Sequence, residues 1–135
     1  MHTTNYADAF ITVAADCPAD SGRAPEQPGG VAGVQYALLR ERPYALTSDE
    51  LLFEAHRRRK ALGDDDLDAA RAAFFAKPQA CLRTSPLAKR YGWGLHHDAH
   101  GRVAIYGVES EDYRRLSADP KLKVVAAMRN KRAGA

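Results

Sequence analysis

Apolar residues recur along this chain with two different periods, and the changes of period divide it into elements. Phe10 to Ala14, FITVA, is short and rich in β-branched residues, which predicts a strand that stops before Pro18. Residues 16–30 lose all periodicity, and Pro25, Pro28, Gly29 and Gly30 predict a long irregular loop. Val31, Val34 and Leu38 stand at helical spacing, and Pro43 ends that helix by pushing Arg42 out of the α region. TSDELLFEAHRRRKALG opens with a capping box, Thr47 to Glu50. Its acids fill the first turn and its bases the last, in accord with the helix dipole, and Gly63 fits the left-handed residue that closes such a helix. A further helix starts at Asp64–Asp66, presents Leu67, Ala70, Phe74 and Phe75 on one face and ends at Pro78. The two read as a helical hairpin.

Ser85-Pro86 is a helix start, serine as cap and proline at the first position, and Gly92 soon breaks it. GWGLHH and RVAIYGV are strand-like runs joined by DAHG. Ser110 can cap a helix through Leu116, ended by Asp119-Pro120. Residues 122–128 carry both periods: the alternation of Leu122, Val124, Ala126 and Met128 favours a strand, while Leu122, Val125 and Ala126 suit a helix. The expected fold is a single α+β domain over residues 1–135. Its small, mainly antiparallel sheet contains Phe10–Ala14 and the Gly92–Val108 hairpin, with helices packed on it. Residues 19–30 form its irregular loop and 130–135 a frayed basic tail.

Composition narrows the class. A chain of 135 residues, 45% hydrophobic and 27% charged, can bury a core without staples. No apolar run approaches bilayer length, and MHTTNYADAF has neither the basic start nor the apolar stretch of a secretory signal. Cys17 and Cys81 make no CxxC and no disulfide framework, so a cytoplasmic chain with free thiols is expected, a single bridge between them staying open. The net charge of +3 is uneven: −2 over residues 1–40, −1 over 41–80 and +6 over 81–135. The basic last third could attract an anionic ligand or nucleic acid. The plainer alternative is a solvated basic surface.

RYGWGLHHDAHGR, residues 90–102, holds three histidines within five positions. In the expected hairpin His97 lies opposite Arg102, His96 opposite Val103 and Trp93 opposite Tyr106. Alternation then puts Trp93, Leu95 and His97 on one face, His96 on the other and His100 in the turn, so the three do not converge on a metal. His96 shares its face with Gly92 and Gly94, which leaves a shallow space beside it. The alternative is a half-buried histidine beside glycines that make room for a helix. On this reading His97 and His100 are dispensable and His96 is not.

MHTTNYADAFITVAADCP, CLRTSPLAKRYGWGLH and VAIYGVESEDY resemble the motifs of a family of small bacterial and fungal proteins known only as a domain of unknown function, number 6157 of that series. The resemblance runs nearly end to end. It implies a stand-alone domain of this length and brings no activity, substrate or catalytic residue.

Three chemistries remain to be weighed on the residues themselves. Cys81 and His96 could form a nucleophile–base pair near the charges of Arg83 and Lys89, although a lone cysteine more often fills a core. His2, with the α-amine, could chelate a metal. The Ser85 helix start, flanked by Arg83, Lys89 and Arg90 and followed by His96, suits an anion. The run Arg57–Lys60 spreads around its helix and forms no single reading face. The leading expectation is therefore a pocket for a small anionic molecule between the Ser85 helix start and His96, with catalysis open and no cofactor or membrane contact. The alternative is a non-enzymatic protein or nucleic-acid interaction module that uses the basic C-terminal third.

Overall fold

In a computed structural model of the chain, residues 3–63 and 65–131 are described. The first strand, β1 (Ala9–Thr12), lies inside a four-stranded sheet. It pairs antiparallel with β2 (Trp93–His97) and parallel with β4 (Lys123–Ala126), while β3 (Val103–Gly107) pairs antiparallel with β2, giving the order β3-β2-β1-β4. The ambiguous 122–128 segment thus contains a strand. β3 and β4 run the same way, so the chain must cross the sheet between them, and α5 (Glu111–Ser117) makes that crossing. Among the described residues five α-helices complete an α+β fold: α1 (Val31–Glu41), α2 (Ser48–Arg59), α3 (Leu67–Ala76), the one-turn α4 (Pro86–Lys89) and α5.

Alternation along the strands separates two cores. Ile11, Leu95, Val103 and Ile105 face inward against Leu38 and Leu39 of α1, Leu51 of α2 and Leu87 of α4. Phe10 faces outward against Tyr113 and Leu116 of α5. Fully burying an aromatic side chain such as Phe10 contributes about 2–3 kcal/mol. No helix among the described residues is long and apolar enough to cross a membrane.

The hairpin register differs by one residue from the expected one. His97 pairs with Val103, His96 with Ala104 and Trp93 with Gly107. The turn explains the shift. Asp98 N–H donates to the Arg102 carbonyl, Gly101 N–H donates to the Asp98 carbonyl, and Gly101 is left-handed with φ +78°. Asp98 therefore takes the place opposite Arg102 that the expected register gave to His97, and three residues rather than four make the turn. The Asp98 carboxylate locks it by accepting from the His100 and Arg102 amides. Alternation is untouched, so His96 and His97 remain on opposite faces.

The space expected beside His96 is filled. A Cβ on Gly94 would come within 2.4 Å of Phe10 and 2.7 Å of Tyr113, and one on Gly92 (φ +82°) within 2.3 Å of the Ser21 carbonyl oxygen. These glycines admit a crossover helix and a passing loop. That loop is irregular, as its composition predicts, and the Trp93 indole N–H fastens it by donating to the Arg23 carbonyl.

Candidate functional site

Ser85, Arg83, Lys89, Arg90 and His96 do not form one pocket. Ser85 is buried; its Oγ accepts from the Leu87 amide and donates to Gln35 Oε1 at 2.7 Å. The capping amide is therefore satisfied by serine itself. The α4 turn packs on the inner face, whereas His96 lies on the outer face, so the sheet stands between them.

Arg83, Lys89 and Arg90 do come together, around a segment distant in sequence. Arg83 Nε donates to the Ala126 carbonyl at 2.8 Å, and its own carbonyl accepts from the Met128 amide. Arg90 Nε donates to Asn130 Oδ1 at 3.4 Å, and Asn130 Nδ2 donates to the Lys89 carbonyl at 2.8 Å. Asp16 ties the segment down from the other side, its carboxylate accepting from the Asn130 amide, Asn130 Nδ2 and the Lys131 amide. The Asn130 backbone N–H, the strongest influence, holds the Asp16 carboxyl below the usual carboxylate range, and the Lys131 N–H adds to this. Asn130 and Lys131 are thus anchored, contrary to the expected frayed tail; residues 132–135 lie outside the described residues.

This strap builds two adjoining open clefts. One, about 490 Å³, is lined by Asp16, Pro18, Arg90, Asn130 and Lys131. The other, about 500 Å³, is lined by Arg83, Met128, Arg129 and neighbouring backbone, and shares Asn130 and Lys131 with the first. Among the described residues, none of these four cations is paired with a carboxylate. Arg83 and Arg90 are oriented through Nε, which leaves the Nη edge of each guanidinium for a carboxylate or phosphate. Sequence reasoning did not join Asp16, Arg129, Asn130 and Lys131 to this group because no spacing links partners separated by 40 to 115 positions.

His96 has a different setting. Its Nδ1 and the Tyr44 hydroxyl lie 2.7 Å apart, and the Tyr44 and Tyr106 hydroxyls are also 2.7 Å apart. Residues 44–47 line the free edge of β3, Tyr44 N–H donating to the Val103 carbonyl and Val103 N–H to the Leu46 carbonyl. Tyr44 adopts φ +58°, left-handed and strained for a bulky residue, and its ring reaches the outer face. Burial lowers the His96 pKa, with Asp98 opposing; burial and then the Tyr106 hydroxyl raise that of Tyr44. Hydrogen bonds can run along the chain in either sense, and reversing them exchanges the His96 tautomer. Nε2, which has no hydrogen-bond partner among the described residues, is a proton acceptor in one sense and a donor in the other.

Cys81 and His96 are not a pair. The Tyr6 hydroxyl donates to Cys81 Sγ at 3.3 Å, while His96 engages Tyr44. Cys17 and Cys81 are free thiols. His97, expected to be dispensable, is wholly buried, its ring crossing that of Tyr6 at 71°, with neither ring nitrogen in hydrogen-bond geometry. The exposed His100 sits in the turn as expected. Met1 and His2 lie outside the described residues. Among the described residues no three His, Cys, Asp or Glu side chains are placed to hold a metal together.

A family model described as a family of unknown function, DUF6157, matches residues 1–133. No curated protein and no solved structure matches the chain.

Proposed function

The chain belongs to the DUF6157 family, whose function is unknown, and we propose that it binds a small phosphate- or carboxylate-bearing molecule in the basic cleft built on Arg83, Arg90, Arg129 and Lys131. The observation that carries this reading is the orientation of two arginines. Arg83 and Arg90 are each fixed by one Nε hydrogen bond, to Ala126 and Asn130, beside two cations that have no acidic partner among the described residues. A preset guanidinium loses less freedom when it grips an anion, which favours affinity. The Asp16 carboxylate does not defeat the site, because its oxygens already accept the amide bonds of Asn130 and Lys131. Relative to the expected pocket, Arg83, Lys89 and Arg90 stay, with Lys89 acting through its carbonyl, while Ser85 and His96 leave.

A thermal-shift screen of phosphorylated and polycarboxylate metabolites tests the proposal. A ligand of the native state raises the melting temperature by mass action. We expect stabilisation by a subset of anions, lost in an Arg83→Gln, Arg90→Gln variant that keeps hydrogen-bond donors but not charge. The proposal fails when no anion stabilises the protein, or when the double variant responds as the wild type does.

A further inference from the structure

A further cavity lies where α1, α2 and α3 meet. It has about 150 Å³ and is lined by Gln35, Leu52, His56, Arg59 and Phe74, among others. His56 and Phe74 also wall an adjoining groove of about 410 Å³, which reaches Lys77. The shared wall is aromatic: the His56 and Phe74 rings lie tilted with centroids 4.7 Å apart and 37° between planes, and Phe53 and Phe75 pack on Phe74 at 5.8 and 4.9 Å.

Gln35 is the unusual residue. It is 2% exposed, yet only half of its amide is satisfied. Ser85 Oγ accepts from the Leu87 amide and donates to Gln35 Oε1, and Gln35 Nε2 has no hydrogen-bond partner among the described residues. Nε2 is not sealed from solvent, so this free donor is open to a ligand, and Gln35 lines the cavity. Arg59, on the same cavity and in no ion pair among the described residues, adds a positive charge. An unpartnered amide donor, a cation and an apolar aromatic wall are the complement of a carboxylate attached to an apolar body.

We propose that this cavity binds a small apolar monocarboxylate, aryl or medium-chain alkyl, its carboxylate on Gln35 Nε2 and Arg59 and its body along the His56–Phe74 wall. The neighbouring groove gives a longer body room to extend toward Lys77. Ser85 is a positioning residue here, since its hydroxyl turns the Gln35 amide. The site shares no lining side chain with the Arg83–Arg90 cleft, so the two proposals stand or fall separately.

The test is a ¹H–¹⁵N NMR titration of the full chain with benzoate and with octanoate, against benzyl alcohol and octanol as neutral counterparts. We expect at least one acid to shift the Gln35 side-chain amide signals saturably. Its neutral counterpart should bind about tenfold more weakly or worse, and Arg59→Gln, a surface change that leaves the core alone, should weaken the acid about fivefold or more. Arg83→Gln, Arg90→Gln should leave these shifts unchanged. The outcomes that overturn the proposal are the absence of a saturable Gln35 shift with both acids, equal affinity for acid and alcohol, no effect of Arg59→Gln, or loss of the Gln35 shift in the Arg83→Gln, Arg90→Gln protein.

Discussion

His97 illustrates what one side chain can cost. It is fully buried, and burial pushes its pKa down to about 4 from the ordinary 6.5, the Leu95 backbone opposing only in part because neither ring nitrogen reaches hydrogen-bond geometry. Above pH 6.5 the ring is neutral folded or unfolded, and it adds no pH dependence. Below that the unfolded chain takes up a proton that the fold refuses, so stability falls with pH until the folded form also protonates near 4. At pH 4.5 the loss from this group is about 2–3 kcal/mol, from about 1.4 kcal/mol for each unit. Denaturant unfolding at pH 7.5 and 4.5 reads it directly. His97→Leu, similar in volume and free of unpaired nitrogens, should lose about 2–3 kcal/mol less than the wild type over that interval. Equal losses in the two proteins would refute the assignment. The groups near His97 do not rescue its charge: the Leu95 backbone favours it only in part, His96 disfavours it, and Asp98, though attractive, is committed to the turn.

At the scale of elements, local signals act where they are written. The Thr47–Glu50 capping box forms with both of its bonds, Ser85 caps α4 and Ser110 caps α5. The C-terminus of α2 departs from expectation. Leu62 N–H donates to the Arg57 carbonyl and Ala61 N–H to the Arg58 carbonyl, so Ala61, at φ +53°, takes the left-handed place expected for Gly63. Alanine is strained there, and Ala61→Gly should stabilise the protein by about 0.5–1 kcal/mol, measured as a higher denaturation midpoint with an unchanged slope. A lower midpoint would count against this closure. What the sequence hid has the same root throughout. Helix starts, the loop at 16–30 and the alternation of His96 and His97 are local and were legible. The parallel partner of β1, the Tyr44 ring at His96 and the strap from Asp16 to Asn130 join segments 50 or more residues apart, and only tertiary packing brings them together. Gly92 and Gly94 mislead for a related reason, since missing side chains mark close approach without saying whether a ligand or the chain itself approaches.

For the whole molecule, the central consequence of the fold is the placing of its charge. The surplus of +6 belongs to residues 81–135, and the sheet gathers part of it by running β4 beside β1. The chain leaving β4 then passes Arg83, crosses toward Lys89 and Arg90 and is fastened by Asp16, which began this arrangement at the opposite end of the sequence. Four cations are thereby held around a single Asn130 rather than dispersed over a solvated surface. An NMR titration with pyrophosphate that follows the Arg83 and Arg90 guanidinium signals, the Asn130 side-chain amide and the Lys131 backbone amide tests this most directly. The account predicts that all four shift together along one saturable curve, with affinity falling about tenfold or more in Arg83→Gln, Arg90→Gln. Shifts that grow linearly without saturation, or that spread equally over Arg58, Arg102 and Arg114, would contradict it.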